Sequence, residues 1–414
     1  MIKKNALTKN MAKATLWLVV FQVVGLIIPL LTLPILARSL GVTSFGQLML
    51  AQAVVFLGVV FVDAGFNTES QRRASLVVDV DSLESQQVLI DNFIARCLCS
   101  LPILLLVLVI GFFVPDLPFV LVVLSLLLMI GTLIFPQWWY VARQQGLRMG
   151  IALVSGRLIS ALVILLFVKS TNDQIIACVA SCSGTLIAGL LLMPNWWQNF
   201  RIHRHNIKWD SWKGYLNDVK HNIFSGFFSS ASVSVPVLAL GFLSGSFQAG
   251  LFAAADRLTR AFAHVLSFVE QSCMGWLAKE NDKNLVHADR LRVYTLATLA
   301  AILFIGCGIL AILADWILQL LYGNSFSSAS SILKILLIWL FIYGLRKAAV
   351  TFYWSSAGNL KVIAIFQWAE AILVSLFASF GAYWSGAFGA SIGLCISELI
   401  LSIAAIIWIK KGTR

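Results

Sequence analysis

An all-α membrane protein of about twelve transmembrane helices, in two six-helix lobes around a central cavity, is the fold this 414-residue sequence predicts. Three observations carry that expectation. Hydrophobic residues make up 60% of the chain, charged residues only 12%, and the mean hydropathy is +0.90, which excludes a soluble globular protein. Apolar runs near the ~20 residues needed to cross hydrocarbon recur from end to end. The runs are continuous and lack two-residue alternation, which selects helices over a β-barrel.

Taken in order, the expected spans are about 14–37, 46–66, 90–113, 117–141, 149–168, 174–194, 219–243, 249–277, 292–314, 330–354, 360–383 and 387–409. The N-terminal lysines Lys3, Lys4, Lys9 and Lys13 precede an apolar run too long for a signal peptide, so that run reads as a first membrane helix. A basic, Trp-rich stretch at 201–218 follows six spans. It divides the chain into an N-lobe (1–200), a cytoplasmic linker (201–218) and a C-lobe (219–414). Basic residues such as Arg72, Arg73, Arg143, Arg148, Lys213 and Lys410 cluster in alternate loops. The opposite loops are short and nearly free of them, an asymmetry that places both termini in the cytoplasm. It also accounts for most of the +12 net charge without nucleic-acid binding. Trp138, Trp139, Trp196, Trp197, Trp209 and Trp212 are expected to form an interfacial belt at the cytoplasmic helix ends.

The halves share short matches. Gly41-Val-Thr-Ser-Phe-Gly46 in the first half resembles Gly245-Ser-Phe-Gln-Ala-Gly250 in the second, each after a proline-containing helix. Trp138-Trp139-Tyr140 leading to Gly146 resembles Phe352-Tyr353-Trp354 leading to Gly358. Spacings of about 204 and 212 residues fit a duplicated six-helix unit.

The eighth span is the most informative. Asp256, Arg257, Arg260, His264, Ser267, Glu270 and Gln271 repeat at three- and four-residue steps and fall on one arc of roughly 140°. Mid-membrane charges of this kind cost about 2.5–3.5 kcal/mol each on insertion scales unless they meet partners or a wet cavity. Arg157 in the fifth span, Arg346 and Lys347 in the tenth, Glu370 in the eleventh, Glu398 in the twelfth and Asp63 closing the second add to the stripe.

The basic set Arg157, Arg257, Arg260, Arg346 and Lys347 suits an anionic or polar cargo, because guanidinium forks donate paired hydrogen bonds to diphosphate or carboxylate. Asp63, Asp256, His264, Glu270, Glu370 and Glu398 are candidates for ion or proton coupling, or for pairing. Asp256 and Arg260, four apart, are equally a neutral pair, and Glu370 has Arg346 or Lys347 within reach. No phosphate loop of the GxxxxGK[ST] type occurs. The seven cysteines lack metal-ligand spacing, so neither metal nor cofactor is expected. No large polar loop offers room for a soluble-type active site, so an enzyme is not expected.

The segment Ile27-Ile-Pro-Leu-Leu-Thr-Leu-Pro-Ile-Leu-Ala-Arg-Ser-Leu-Gly41, with Phe45-Gly46 and Gly65-Phe66-Asn67, resembles the opening of O-antigen (Wzx-type) flippases. These form a branch of the multidrug/oligosaccharidyl-lipid/polysaccharide exporter superfamily, which also holds the MATE exporters. Gly241-Phe-Leu-Ser-Gly245 and Gly250-Leu-Phe-Ala-Ala-Ala-Asp256-Arg257-Leu resemble that family's seventh-to-eighth helix junction. Phe135-Pro136-Gln-Trp138 is similar to its fourth-helix exit, but Tyr140-Val-Ala-Arg143-Gln-Gln-Gly146 departs from the usual aromatic-Gln-Gly continuation.

The resemblance implies a bacterial inner-membrane flippase for undecaprenyl-diphosphate-linked O-antigen or related polysaccharide units, working by alternating access. A glycan polymerase and a chain-length regulator are further implied partners, besides membrane lipid. The alternatives are a cation-coupled multidrug exporter of the same superfamily, or a membrane glycan polymerase or glycosyltransferase.

Overall fold

A computed structural model describes residues 2–63, 65–77, 82–202, 211–281, 285–355 and 360–412, and among them no residue lies in a β-strand. Among the described residues thirteen α-helices follow one another. They are α1 (Ile2–Asp63), α2 (Phe66–Leu76), α3 (Leu83–Phe113), α4 (Phe119–Ile134), α5 (Gln137–Ala142), α6 (Gly146–Phe167) and α7 (Gln174–Ile202). After these come α8 (Ser211–Leu243), α9 (Gly245–Asn281), α10 (Leu285–Ile312), α11 (Ala314–Tyr322), α12 (Ala329–Val350) and α13 (Leu360–Gly412).

Among the described residues, nine stretches are long and apolar enough to cross a membrane. Two of these, Ile27–Leu76 and Lys361–Lys410, are 50 residues long and interrupted, one at Gly41 (φ 72°, ψ 172°), the other at Ser385 and Gly386. Each covers two of the expected spans. The remaining expected span, within α9, is absent from the nine because its charged stripe dilutes the apolar run. Several helices outrun the hydrocarbon estimate: α8 starts at Ser211 rather than near 219, and α9 continues to Asn281. Their polar ends are rich in Lys, Asn and Glu, which mark the end of apolar sequence without ending the backbone ladder.

The chain forms two compact units, one of Met1–Leu40 with Ala51–Ser230, the other of Gly41–Leu50 with Ala231–Arg414. The expected linker is only partly described: 203–210, including Arg204, Lys208 and Trp209, lies outside the described residues, as do Gly358 and the side chains of Trp196, Trp197 and Gln271.

In the first unit, the opening turns of α8 dock by their aromatic and polar residues. Tyr215 stacks on Phe66 with ring centroids 6.0 Å apart, and its hydroxyl donates to the Phe66 carbonyl at 3.2 Å. Asn92 donates to the same hydroxyl at 3.2 Å, and Ser70 hydrogen-bonds to it as well. Burial lifts this hydroxyl above the ordinary phenol pKa, so it stays a neutral hydrogen-bonding group. Arg73 lies over the Tyr215 ring at 4.4 Å and reaches Asp218 at 2.6 Å.

Glycine lets membrane helices meet backbone to backbone, where apolar side chains gain little over lipid. A Cβ on Gly156 of α6 would strike the Gly184 carbonyl of α7, and one on Gly131 of α4 would strike the backbone at Leu186. In the second unit the two arms of α13 close the same way, through Gly381 against Gly389 and Gly393 against Phe377.

The sequence-matched turns share a geometry. Gly41 and Gly245 both have left-handed φ, 72° and 85°, which glycine adopts without a Cβ clash. Gly46 and Gly250 then meet reciprocally. A Cβ on Gly46 would overlap the Ser246 carbonyl, and one on Gly250 would overlap the Val42 carbonyl. Since Val42 and Ser246 hold matching positions in the two motifs, this is a local two-fold contact between repeat-related segments.

One expectation is corrected. Trp138 and Trp139 do not form an interfacial belt. Both are buried, in a core cluster with Tyr140, Leu89, Met149 and Ala188. The cause is the break at Phe135-Pro136, which ends α4 and starts the short α5, turning these rings inward.

The glycine contacts predict that Gly250→Val lowers folding stability by about 1–3 kcal/mol through overpacking. Gly306→Val, with nothing within 4 Å of its added Cβ, stays within ~0.5 kcal/mol of the parent. Thermal unfolding of the two purified variants in one detergent measures the difference.

Candidate functional site

The charges of the second unit that the sequence singled out lie on α9, α12 and the two arms of α13. On α9, Asp256 is buried and accepts from Nε of Arg260 on both oxygens, at 2.9 and 2.8 Å. The four-residue spacing puts the two side chains one above the other on the helix face. The Arg260 guanidinium also sits 5.4 Å from the Trp339 ring centroid, and its buried Nη2 has no hydrogen-bond partner among the described residues. Trp339 stacks on Tyr343 at 4.8 Å.

Arg346 is buried between two carboxylates. Its Nη2 donates to Glu370 on the first arm of α13 at 2.5 Å, and its Nε donates to Glu398 on the second arm. One guanidinium thereby ties α12 to both arms. Lys347, next in sequence, turns the other way and donates to Ser267 Oγ at 2.7 Å, with Glu270 Oε2 at 3.6 Å. Glu270 is buried, and its second oxygen has no partner among the described residues. Arg257 and His264 are exposed.

The sequence singled out a basic set suited to an anionic cargo, and the tertiary pairing changes its character. The named groups of this unit are four basic (Arg257, Arg260, Arg346, Lys347) and four acidic (Asp256, Glu270, Glu370, Glu398). Three of the basic groups face carboxylates within salt-bridge distance. Formally the set is balanced rather than cationic. In hydrocarbon this is the arrangement that avoids the cost of isolated ions.

In the first unit, Arg157 of α6 and Asp63 at the end of α1 line one cavity of about 210 Å³, with Asn67, Thr132, Gln137 and Thr185 supplying further polar groups. Arg157 donates to the Gly25 carbonyl of α1. Asp63 accepts from Asn67 and faces Arg96 Nη2 at 3.2 Å.

Arg96 is the residue that sequence reading missed. It is buried on α3, and it donates to the Val62 carbonyl at 2.7 Å and the Thr132 carbonyl at 3.0 Å. Its signal was available: it is an arginine within the third apolar run, the same mark that singled out Arg157. What no pattern showed was that its partners are mostly carbonyls.

These buried charges sit in a chain that matches the family described as "Polysaccharide biosynthesis protein" over residues 11–274, well over half its length. The chain belongs to that family. Two similar proteins are both named "Putative O-antigen transporter". The one from Escherichia coli (strain K12) is 25% identical over 64% of this chain and 64% of its own length. The one from Shigella dysenteriae is 21% identical over 94% of this chain and 98% of its own.

Among solved structures, the chain is similar to an inward-facing multidrug resistance MATE family transporter of the MOP superfamily. The TM-score is 0.77 at 14% identity, covering 95% of this chain and 98% of that one. It is also similar to the lipid II flippase MurJ in an inward closed conformation. Here the TM-score is 0.70 at 13% identity, covering 95% and 87%. At these identities the structural matches establish the fold: a multi-pass membrane protein built like the MOP transporters, as the opening motifs implied.

The Arg346 clamp gives a direct prediction. Arg346→Met strands the buried Glu398 carboxylate and the half-buried Glu370 carboxylate and costs about 3–5 kcal/mol. Adding Glu370→Gln and Glu398→Gln removes the stranded charges and recovers most of that loss. The order of the three melting midpoints (parent, triple variant, single variant, from high to low) is the measurement.

Proposed function

We propose that this protein is a flippase moving undecaprenyl-diphosphate-linked O-antigen or related polysaccharide repeat units across the bacterial inner membrane by alternating access, with both termini in the cytoplasm. Membership of the polysaccharide biosynthesis family carries the reading. The relatives that align over 64% and 94% of the chain support the substrate class, and the MOP fold supplies a scaffold suited to carrying a large amphiphile.

The geometry adds the chemistry. Each unit holds guanidinium groups among membrane helices: Arg157 beside a partly polar cavity in the first, Arg257 and Arg260 on α9 in the second. Arg257 is exposed and Arg260 keeps a donor without a partner among the described residues, so both suit a diphosphate or an acidic sugar. Asp256 orients Arg260 by holding Nε. Arg346 and Lys347, paired with Glu370, Glu398, Ser267 and Glu270, act as structural ties in this reading. Transport without a covalent step makes the protein a carrier rather than an enzyme. A glycan polymerase and a chain-length regulator acting on the delivered units are its proposed partners.

A cation-coupled multidrug exporter is the second reading, favoured by the MATE likeness. Deleting the gene and measuring drug susceptibility separates the two, since a flippase deletion leaves efflux of organic cations unchanged.

In a deletion strain, single lipid-linked units should accumulate shielded from a periplasmic sugar-modifying enzyme, and the parent gene should relieve this. Arg257→Ala and Arg260→Gln are expected to cut export at least ~10-fold, equivalent to about 1.4 kcal/mol, at unchanged protein levels. Parental export by both variants would remove α9 from the transport site.

A further inference from the structure

Gly25 and Pro29 stand four residues apart in α1, and that spacing has a physical consequence. In an α-helix the carbonyl of residue i accepts from the N–H of residue i+4. Proline has no N–H, so Pro29 leaves the Gly25 carbonyl without its helical donor. Arg157 of α6, 132 residues away, fills the gap by donating Nη1 to that same carbonyl. Gly25 is what admits it: a Cβ there would collide with the guanidinium. A second close approach lies one turn earlier, where the Phe21 ring of α1 covers Gly150 of α6 so closely that no Cβ would fit.

Among the described residues no carboxylate lies within salt-bridge distance of Arg157, and Asp63, on the same cavity wall, is engaged with Arg96 and Asn67. A carbonyl is a weaker acceptor for a guanidinium than a charged oxyanion. The guanidinium also lines the 210 Å³ cavity, whose wall is partly polar and partly apolar, so an anion entering there meets it directly.

We propose that Arg157 is a releasable cap on the carbonyl that Pro29 leaves open, so that a diphosphate group in the cavity and a docked α1 compete for one guanidinium. When the diphosphate takes Arg157, the Gly25 carbonyl loses its donor and the α1 turn spanning 25–29 loosens from α6. Arg157 is thus a positioning residue for α1 as well as an anion ligand. The choice of diphosphate rests on the function proposed above; the capping of Gly25 does not.

Hydrogen–deuterium exchange on the full chain in lipid nanodiscs tests both parts, read on peptides covering residues 21–33. The probes are inorganic pyrophosphate, farnesyl diphosphate, and farnesol as the uncharged control. Losing one buried hydrogen bond corresponds to roughly three- to tenfold faster opening. The expected result is that acceleration in the parent with farnesyl diphosphate and not with farnesol. A response to pyrophosphate as well means that the headgroup alone suffices. Arg157→Gln is expected to exchange fast without any probe and to ignore all three. Combining Arg157→Gln with Pro29→Ala should return exchange to the slow rate, because the alanine restores the backbone N–H that the Gly25 carbonyl needs.

If Arg157→Gln accumulates poorly, recovery of its level by Pro29→Ala gives the same support. Parental exchange in Arg157→Gln, or a double variant that stays fast, overturns the cap. An intact rescue without any diphosphate response overturns the competition, while the leaflet assay independently decides whether the chain is a flippase.

Discussion

A charge or a backbone carbonyl inside hydrocarbon has no water to fall back on, and the protein must supply its partner from another helix. Most of what is distinctive here follows from that constraint. Arg346 joins α12 to both arms of α13 because Glu370 and Glu398 sit on separate arms and the buried Glu398 carboxylate cannot stay charged without a partner. Arg96 ties α3 to the end of α1 and to α4 by taking two carbonyls and sharing a carboxylate. Arg157 reaches a carbonyl that a proline has opened. In each case the polar group specifies which helices meet, a task that apolar side chains perform weakly where lipid is the competing solvent.

Glycine performs the complementary task. The α6–α7 contact at Gly156 and Gly184 and the α13 contact at Gly381 and Gly389 bring backbones together without relying on apolar burial. The reciprocal meeting of Gly46 and Gly250 goes further. It shows the two sequence-matched motifs using the same residue for the same purpose, with Gly41 and Gly245 sharing the left-handed backbone that starts each motif. Short matches that look accidental in an apolar sequence have a common geometric cause.

Balanced charge also qualifies how such a carrier handles an anion. Were the α9 and α12 basic groups uncompensated, an anionic cargo would be held too firmly to leave. With Asp256, Glu270, Glu370 and Glu398 interleaved, most of the attraction is satisfied inside the protein, and in the function proposed above recognition is left to donors that remain over, such as Arg260 Nη2.

The sequence by itself determined the all-helical membrane architecture, because backbone hydrogen bonding in lipid admits helices and apolar length counts their crossings. It also marked most of the buried charges, since an ion in an apolar run needs no structure to be noticed. Helix ends were less legible, as polar residues close an apolar run without closing a helix, and Trp138 and Trp139 were misplaced because the Phe135-Pro136 break decides which way they face. Only the tertiary structure decided who pairs with whom. Arg346 chose Glu370 and Glu398, Lys347 chose Ser267 and Glu270, and Arg157 chose a carbonyl rather than an acid. Periodicity places a side chain on a face of its own helix, while the partner across the interface depends on packing between segments tens to hundreds of residues apart.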